Sequence, residues 1–231
     1  MNAGILYVVA TPIGNLGDLS ARALEVLRSC DIVACEDTRV TGALLRKFGI
    51  EKEMFVYENS RERAAAPILL EKIKSGKTVA LVSDAGTPCI SDPGFRIVRA
   101  CRAEKIQVTP IPGPCAFASA LSASGLPSDS FLFVGFLPPK SAARRNFFGS
   151  HKDFPHTIIF YESPYRIEKF MADALELFGP ERTVCVAKEI SKMHERFFAG
   201  RLLDVSNELM KSSTKGEFVV MIAPDSFHYS E

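Results

Sequence analysis

The chain of 231 residues has no tryptophan, only four histidines and almost no net charge, with 28 basic side chains against 27 acidic ones. Near-neutrality excludes a protein that grips nucleic acid by its overall charge, so any RNA contact must come from a local basic patch. His151, His156, His194 and His228 have no ligand spacing, and the six cysteines form no C-x-x-C pair, so no metal is assigned. At this length, with 47% hydrophobic residues, the chain buries a core without a disulfide or metal staple. The cysteines therefore read as reduced, mostly buried thiols of a cytoplasmic protein. Long hydrophobic runs are missing too. The stretch Ile5–Ala10 is too short for a signal or a membrane span, and Met1 to Gly4 carry no basic region. Neither G-x-G-x-x-G nor the phosphate loop G-x-x-x-x-G-K-[ST] occurs, since Gly76-Lys77-Thr78 has Glu71 where that loop needs its first glycine, which removes support for nicotinamide or ATP binding.

What is present is alternation. Ile5–Ala10, Ile32–Cys35, Met54–Tyr57, Thr78–Ser83 and Ile106–Pro110 are continuous Val- and Ile-rich runs, as strands covered on both faces should be. Helix patterns separate them: Leu19–Cys30 with Asp18 as N-cap, Thr41–Phe48, and Ala64–Lys74 ending at Gly76. This order predicts a mostly parallel α/β sheet. A small-residue helix, Ala116–Ala123, leads into the turn-rich segment Ser124–Ser130. A domain boundary is expected there, giving an N-terminal α/β domain over 1–124 and a C-terminal one over 125–231. Strands at Phe131–Phe136, Thr157–Tyr161, Thr183–Lys188 and Glu217–Ile222 and helices at Pro164–Phe178 and Leu202–Lys211 build the second. The segment Leu137–Asp153 reads as a basic surface loop with some helix.

Chemistry is sought where strands end, because open α/β sheets bind ligands outside the carboxyl ends of their strands. Three Pro- and Gly-laden loops lie there: Ala10–Gly17, Ser83–Gly94 and Pro110–Pro114. Proline stiffens such loops and glycine lets a ligand approach the main chain, which suits an adenosyl group. One such loop alone would be an ordinary turn; three successive ones point to a site. Charged groups also close strands. Glu36-Asp-Thr-Arg39 does so, equally well explained as a helix cap, and so does Lys188-Glu189, equally well a solvated turn. Lys140, Arg144 and Arg145 form the densest basic patch, which a solvated face explains nearly as well.

Several strings resemble one family. Val9-Ala-Thr-Pro-Ile-Gly-Asn-Leu-Gly-Asp-Leu-Ser-Ala-Arg-Ala23 is similar to the opening signature of the ribosomal RNA small subunit methyltransferase I family, within the tetrapyrrole methylase superfamily. Cys35-Glu-Asp-Thr-Arg39, Leu81–Pro88 with Ser91-Asp-Pro-Gly94, Pro112-Gly-Pro-Cys-Ala116, Phe133–Pro138, Tyr161-Glu-Ser-Pro164 and Lys215-Gly-Glu-Phe218 follow in the family's order. Cys115 stands where the family commonly has Ser. The resemblance implies two α/β domains of the tetrapyrrole-methylase type with the cofactor in the cleft between them, and a homodimer. It implies S-adenosylmethionine-dependent methylation of a cytidine 2′-hydroxyl in small-subunit ribosomal RNA, either free or in the 30S subunit. Carried onto matching positions, the cofactor contacts are Pro12, Asp84, Ala85, Gly86, Ile90, Cys115, Ala116, Tyr161, Ala187, Ala223 and Pro224. Branches acting on tetrapyrroles or on a modified histidine usually open with a G-x-G-x-G-D-like loop, where this chain has Thr11-Pro-Ile-Gly-Asn15. A non-catalytic adenosyl- or ribosome-binding module is the remaining alternative.

Transfer to a hydroxyl needs a proton acceptor. Glu36, Asp37, Lys188 and Glu189 are the candidates, with Asp37 and Glu189 preferred because a carboxylate is already ionised at neutral pH. Arg39, Lys140, Arg144 and Arg145 are the expected phosphate contacts, and Phe136 or Phe147 could stack a base.

Overall fold

The computed structural model describes residues 3–229, which form two compact units, the first ending at Cys115 and the second beginning at Ala116. The first unit runs β1 (Leu6–Val9), α1 (Ala21–Ser29), β2 (Ile32–Cys35), α2 (Thr38–Lys47), β3 (Glu53–Val56), α3 (Glu62–Lys74), β4 (Val79–Leu81), α4 (Phe95–Ala103) and β5 (Val108–Ile111). Its sheet is wholly parallel, in the order β3-β2-β4-β1-β5. Both faces are covered, which accounts for the unbroken apolar runs. Ile32 and Ala34 pack with Leu69, Ile73, Ile97 and Cys101 of α3 and α4. The alternate residues Val33 and Cys35 pack with Leu27 of α1 and Leu45 of α2. Ser20, not Asp18, caps α1 by accepting from Ala23 N, since Leu16–Asp18 is taken up in a short 3₁₀ turn.

The second unit runs α5 (Ala116–Ser124), β6 (Phe131–Phe136), α6 (Ser141–Ser150), β7 (Thr157–Glu162), α7 (Ile167–Phe178), β8 (Thr183–Lys188), β9 (Arg196–Arg201), α8 (Leu202–Lys211) and β10 (Phe218–Ile222). The sheet order is β6-β7-β10-β8-β9, with β6 and β7 parallel and the other pairs antiparallel. Phe160, Val186 and Val220 face a core closed by α6, α7 and α8. Ile159, Cys185 and Val219 face α5. The division at residue 124 gave this helix to the first half of the chain. Its buried Ala120 and Leu121 instead pack on the second sheet, so the second compact unit begins at Ala116.

Candidate active site

Parallel strands bring their carboxyl ends to one edge, and strand order decides which loops become neighbours there. In the first unit β4 lies between β2 and β1, and β5 flanks β1. The loops after β2, β4, β1 and β5 are therefore adjacent, and hydrogen bonds tie them together. Thr11 and Gly86 exchange backbone N–H···O bonds of 2.8 and 3.1 Å, joining the first loop to the second. The Thr87 hydroxyl donates to Pro114 O at 2.9 Å, joining the second to the third. Asp37 N donates to the Asp84 carboxylate at 3.2 Å, joining the loop after β2 to the same centre. Gly86 has φ +85°, a conformation a side chain would strain.

Beside this knot an open hollow of ≈ 420 Å³ is lined by Glu36, Asp37, Arg39, Glu58 and Asp84 among others. The carboxylates in and beside it differ in character. Asp37 is the N-cap of α2, accepting from Arg39 N at 2.8 Å, and its Oδ2 lies 2.5 Å from Arg39 Nη2. The Arg39 side chain and main chain hold its carboxyl down at about 2. Glu36 has no such partner. Burial, then the charges of Asp92 and Asp84, push it up to about 7 against an opposing bond from Asp84 N–H. Asp92 is itself pushed up to about 6, by burial and by Asp84, with a Ser83 hydrogen bond opposing. Burial also raises Asp84. At neutral pH Glu36 is thus the carboxyl able both to take and to release a proton. Glu58 and Asp92 were not singled out from the sequence. Glu58 stands just past β3, so the strand-end criterion used for the other loops finds it.

The other two candidate bases are committed elsewhere. Lys188 is buried on β8 and its ammonium donates to Ser213 O. Glu189 has φ +53° and accepts from Lys192 Nζ and Glu217 N, both at 2.9 Å. Burial alone would raise its carboxyl, but those donors and Lys188 outweigh it and the net shift is downward. Ion pairing leaves Asp37 and Glu189 less basic than an ordinary carboxylate, whereas burial and neighbouring carboxylates leave Glu36 more basic.

In the second unit Tyr161, Val219 and Ala187 form one cross-strand row over β7, β10 and β8. Ala116 packs against the same face, as does Ala223, which Pro224 follows. The Tyr161 hydroxyl accepts from Phe117 N at 3.2 Å, fixing the start of α5 over this row. The sequence-derived contacts of this half thus share one face.

The expected basic patch loses one of its three members to the interior. The helix expected within Leu137–Asp153 takes up Ser141–Ser150, and Arg144 shares its inward face with Phe148, one turn on. Arg144 is 1% exposed and bonds Asp173 through Nε at 2.7 Å and through Nη2. A guanidinium so enclosed meets no phosphate, so Arg144 leaves the RNA set. Arg145 is exposed but paired with Glu176, and Lys140 is exposed. Arg144→Ala should leave Asp173 uncompensated and cost about 2–3 kcal/mol in urea unfolding. Lys140→Ala should cost under about 0.5 kcal/mol. Equal costs would contradict this assignment. Among the described residues, no group of three or more His, Cys, Asp or Glu could hold a metal ion, and no helix is long and apolar enough to cross a membrane.

The model of the tetrapyrrole (corrin/porphyrin) methylases matches residues 5–206. Ribosomal RNA small subunit methyltransferase I of Vibrio cholerae is 48% identical over 222 residues, covering 95% of this chain and 77% of that protein. The protein of the same name from Pseudomonas aeruginosa is 47% identical, covering 96% and 80%. Among solved structures, the methyltransferase CobJ matches with a TM-score of 0.71 at 16% identity, covering 97% of this chain and 95% of that one. Uroporphyrin-III C-methyl transferase from Thermus thermophilus, complexed with S-adenyl homocysteine, matches with a TM-score of 0.61 at 21% identity, covering 95% and 97%. The solved structures share the fold of two α/β units, and the family model with the curated relatives goes further: the chain belongs to the ribosomal RNA small subunit methyltransferase I family of the tetrapyrrole methylases.

Proposed function

We propose that this chain uses S-adenosylmethionine to methylate the ribose 2′-oxygen of a cytidine in small-subunit ribosomal RNA, with Glu36 as the proton acceptor. The observation that carries the reading is the hollow beside the tied loops, in which burial and two neighbouring carboxylates hold Glu36 near 7. The names of the curated relatives support the substrate class. The same reading includes a homodimer working in the cytoplasm, which sedimentation and cell fractionation test.

The tied loops suit the cofactor. Asp84 and Ala85 are exposed beside Gly86, where a Cβ would lie 3.4 Å from Ile13 Cγ2 and 3.8 Å from Pro114 O. The missing side chain at Gly86 leaves the space between Ile13 of the first loop and Pro114 of the third unfilled. Pro12, Asp84, Ala85, Gly86, Ile90 and Cys115 are the proposed holders in the first unit. Ala116, Tyr161, Ala187, Ala223 and Pro224 are those in the second. When bound, the cofactor supplies a methyl group already activated on a sulfonium. The protein's own work is orientation and proton removal. As the 2′-oxygen takes the methyl group, whose bond to the sulfonium sulfur breaks to leave a neutral thioether, its proton passes to a Glu36 carboxylate oxygen. Asp92 and Asp84 keep that oxygen basic enough to accept it. Asp37 and Arg39 hold the start of α2 and so fix the Glu36 main chain.

The test is transfer of tritiated methyl from S-adenosylmethionine to undermethylated small subunits, offered alongside a tetrapyrrole. Label should enter RNA and resist alkaline hydrolysis of the adjoining phosphodiester, because a 2′-O-methyl blocks that cleavage. Label in the tetrapyrrole instead would sink the reading. Cofactor at a hundred times its dissociation constant should also stabilise the protein by about 2.7 kcal/mol, read as a rise in melting temperature. A flat thermal profile and no heat in calorimetry would count against the cofactor.

A further inference from the structure

The loss of Arg144 from the phosphate contacts raises the question of which basic surface replaces it, and the first unit holds a stronger one. The α3 and α4 helices lie side by side and parallel. Glu62 at the start of α3 accepts from Gly94 N and Arg96 N at the start of α4, and Lys74 near one helix end lies 3.9 Å from Glu104 just past the other. Both helices cover the same sheet face, so their outer sides form one surface. Its N-terminal half carries exposed Arg61, Arg63, Arg96 and Arg99, while the acid there, Glu62, is buried. Among the described residues, Arg63 and Arg99 have no acidic partner. Phe95, 64% exposed, stands in the first turn of α4 amid these cations. Two helix N-termini add positive potential at the same place.

Position links this surface to the hollow. Arg61 Nε lies 3.0 Å from Glu58 Oε1, and Glu58 lines the hollow with Glu36. Helices of a parallel α/β unit start at the carboxyl edge of the sheet, so the cations rim the edge where the proton acceptor sits.

We propose that the N-terminal halves of α3 and α4 form the track on which the RNA strand lies as its ribose enters the hollow, with Arg63 and Arg99 meeting phosphates and Phe95 stacking an unpaired base. The pairing of guanidinium groups with one exposed aromatic ring is what a single-stranded nucleic acid needs: charge along its backbone and a flat face for a base. This rests on the RNA-methyltransferase reading above and deepens it.

The experiment measures binding of a labelled single-stranded cytidine-rich RNA oligonucleotide, and of undermethylated small subunits, over a range of salt. Each phosphate contact on a single strand contributes about 0.7 to the slope of log affinity against log salt. Arg63→Ala/Arg99→Ala should therefore flatten that slope by about 1.4 and weaken binding on the order of tenfold at low salt. Phe95→Ala should weaken binding about tenfold with the slope intact. Cofactor affinity should be unchanged throughout, and an Arg63→Gln/Arg99→Gln pair guards against a folding defect in the alanine variant. Wild-type slope and affinity in both arginine pairs overturn the proposal. So does conversion of a wild-type dimer to monomer by these substitutions, since the surface would then belong to a second copy of the chain. If the unaltered protein binds neither RNA, the methyltransferase reading itself falls.

Discussion

Glu36→Gln is expected to slow single-turnover methyl transfer by about 10²- to 10⁴-fold, with cofactor and RNA affinities within a few-fold of wild type. The amide keeps the shape and one acceptor of the carboxylate but takes no proton at these pH values. The wild-type rate should rise with pH through about 7, where the Glu36 carboxyl ionises, and the variant should lose that rise. Stability should move the other way. Unfolded, the carboxyl titrates near its ordinary value of about 4.3, whereas folded it holds its proton up to about 7. Between those values the native state binds more protons than the unfolded chain, so stability falls as pH rises, and above 7 the whole cost is present. Gln carries no such cost. The variant should gain on the order of 1 kcal/mol over wild type at pH 8, once solvent screening of a half-exposed group is allowed for, and nothing at pH 4. A variant that turns over within a few-fold of wild type would exclude Glu36 and leave solvent as the acceptor.

Glu62→Ala is expected to cost about 3–5 kcal/mol of stability. One oxygen of Glu62 accepts from the Tyr57 hydroxyl at 3.1 Å and from Gly94 N and Arg96 N at 3.0 Å. Tyr57 is fully buried and in turn accepts from Ile97 N at 3.1 Å. The α4 helix has no side-chain cap of its own residue, because its N-cap is Gly94 with φ +137°. A Cβ there would lie 2.5 Å from Cys89 Sγ and 2.9 Å from Leu81 Cδ2, so a capping Ser or Asp at that position would not fit. Glu62 supplies the cap from the neighbouring helix instead. Its removal strands three donors, each costing about 1–3 kcal/mol when buried. The midpoint of urea unfolding measures the loss, and Glu62→Gln, which keeps an acceptor oxygen, should recover about half of it. Activity should fall as well, because Asp92, which helps raise Glu36, sits two residues before the glycine that Glu62 holds. A shift below about 1 kcal/mol in the alanine variant would show that the loop stands without this cap.

The sequence displayed β2 and β4 because both faces are buried and every residue is apolar, as Ile32–Cys35 illustrates. Helix α4 was not foreseen: it opens with Phe95-Arg96, lacks a capping side chain and takes its cap from Glu62, distant in sequence. Strand β9 was hidden by the arginines at both its ends, and by the charged turn Lys188–His194 that leads into it. The fate of Arg144 was legible in principle, since it stands four residues before buried Phe148 and follows small residues at a helix start. Its partner Asp173 lies on another helix, and a single chain pattern does not announce that pair. The choice among the four candidate bases was beyond sequence for the same reason. Glu36 and Asp37 are adjacent and chemically alike. What separates them is that Arg39 folds back onto one while Asp84 and Asp92 crowd the other.

The order of strands in the second unit sets when each half of this protein can become solid during synthesis. The first sheet is complete once Val108–Ile111 has left the ribosome. The second has its last-made strand, Phe218–Ile222, wedged between β7 and β8, with ladder bonds on both sides. Until those residues emerge, Thr157–Glu162 and Thr183–Lys188 present bare edges to each other across the gap, the first carrying Ile158, Ile159 and Phe160, the second Val184 and Val186. At about 5–20 residues per second, a nascent chain spends seconds in that state. Unpaired apolar edges invite pairing with other chains. A ribosome stalled near Lys215 would therefore hold a finished first unit and a split, adhesive second one, so the stretch of synthesis just before Phe218–Ile222 is where this fold is most exposed to failure.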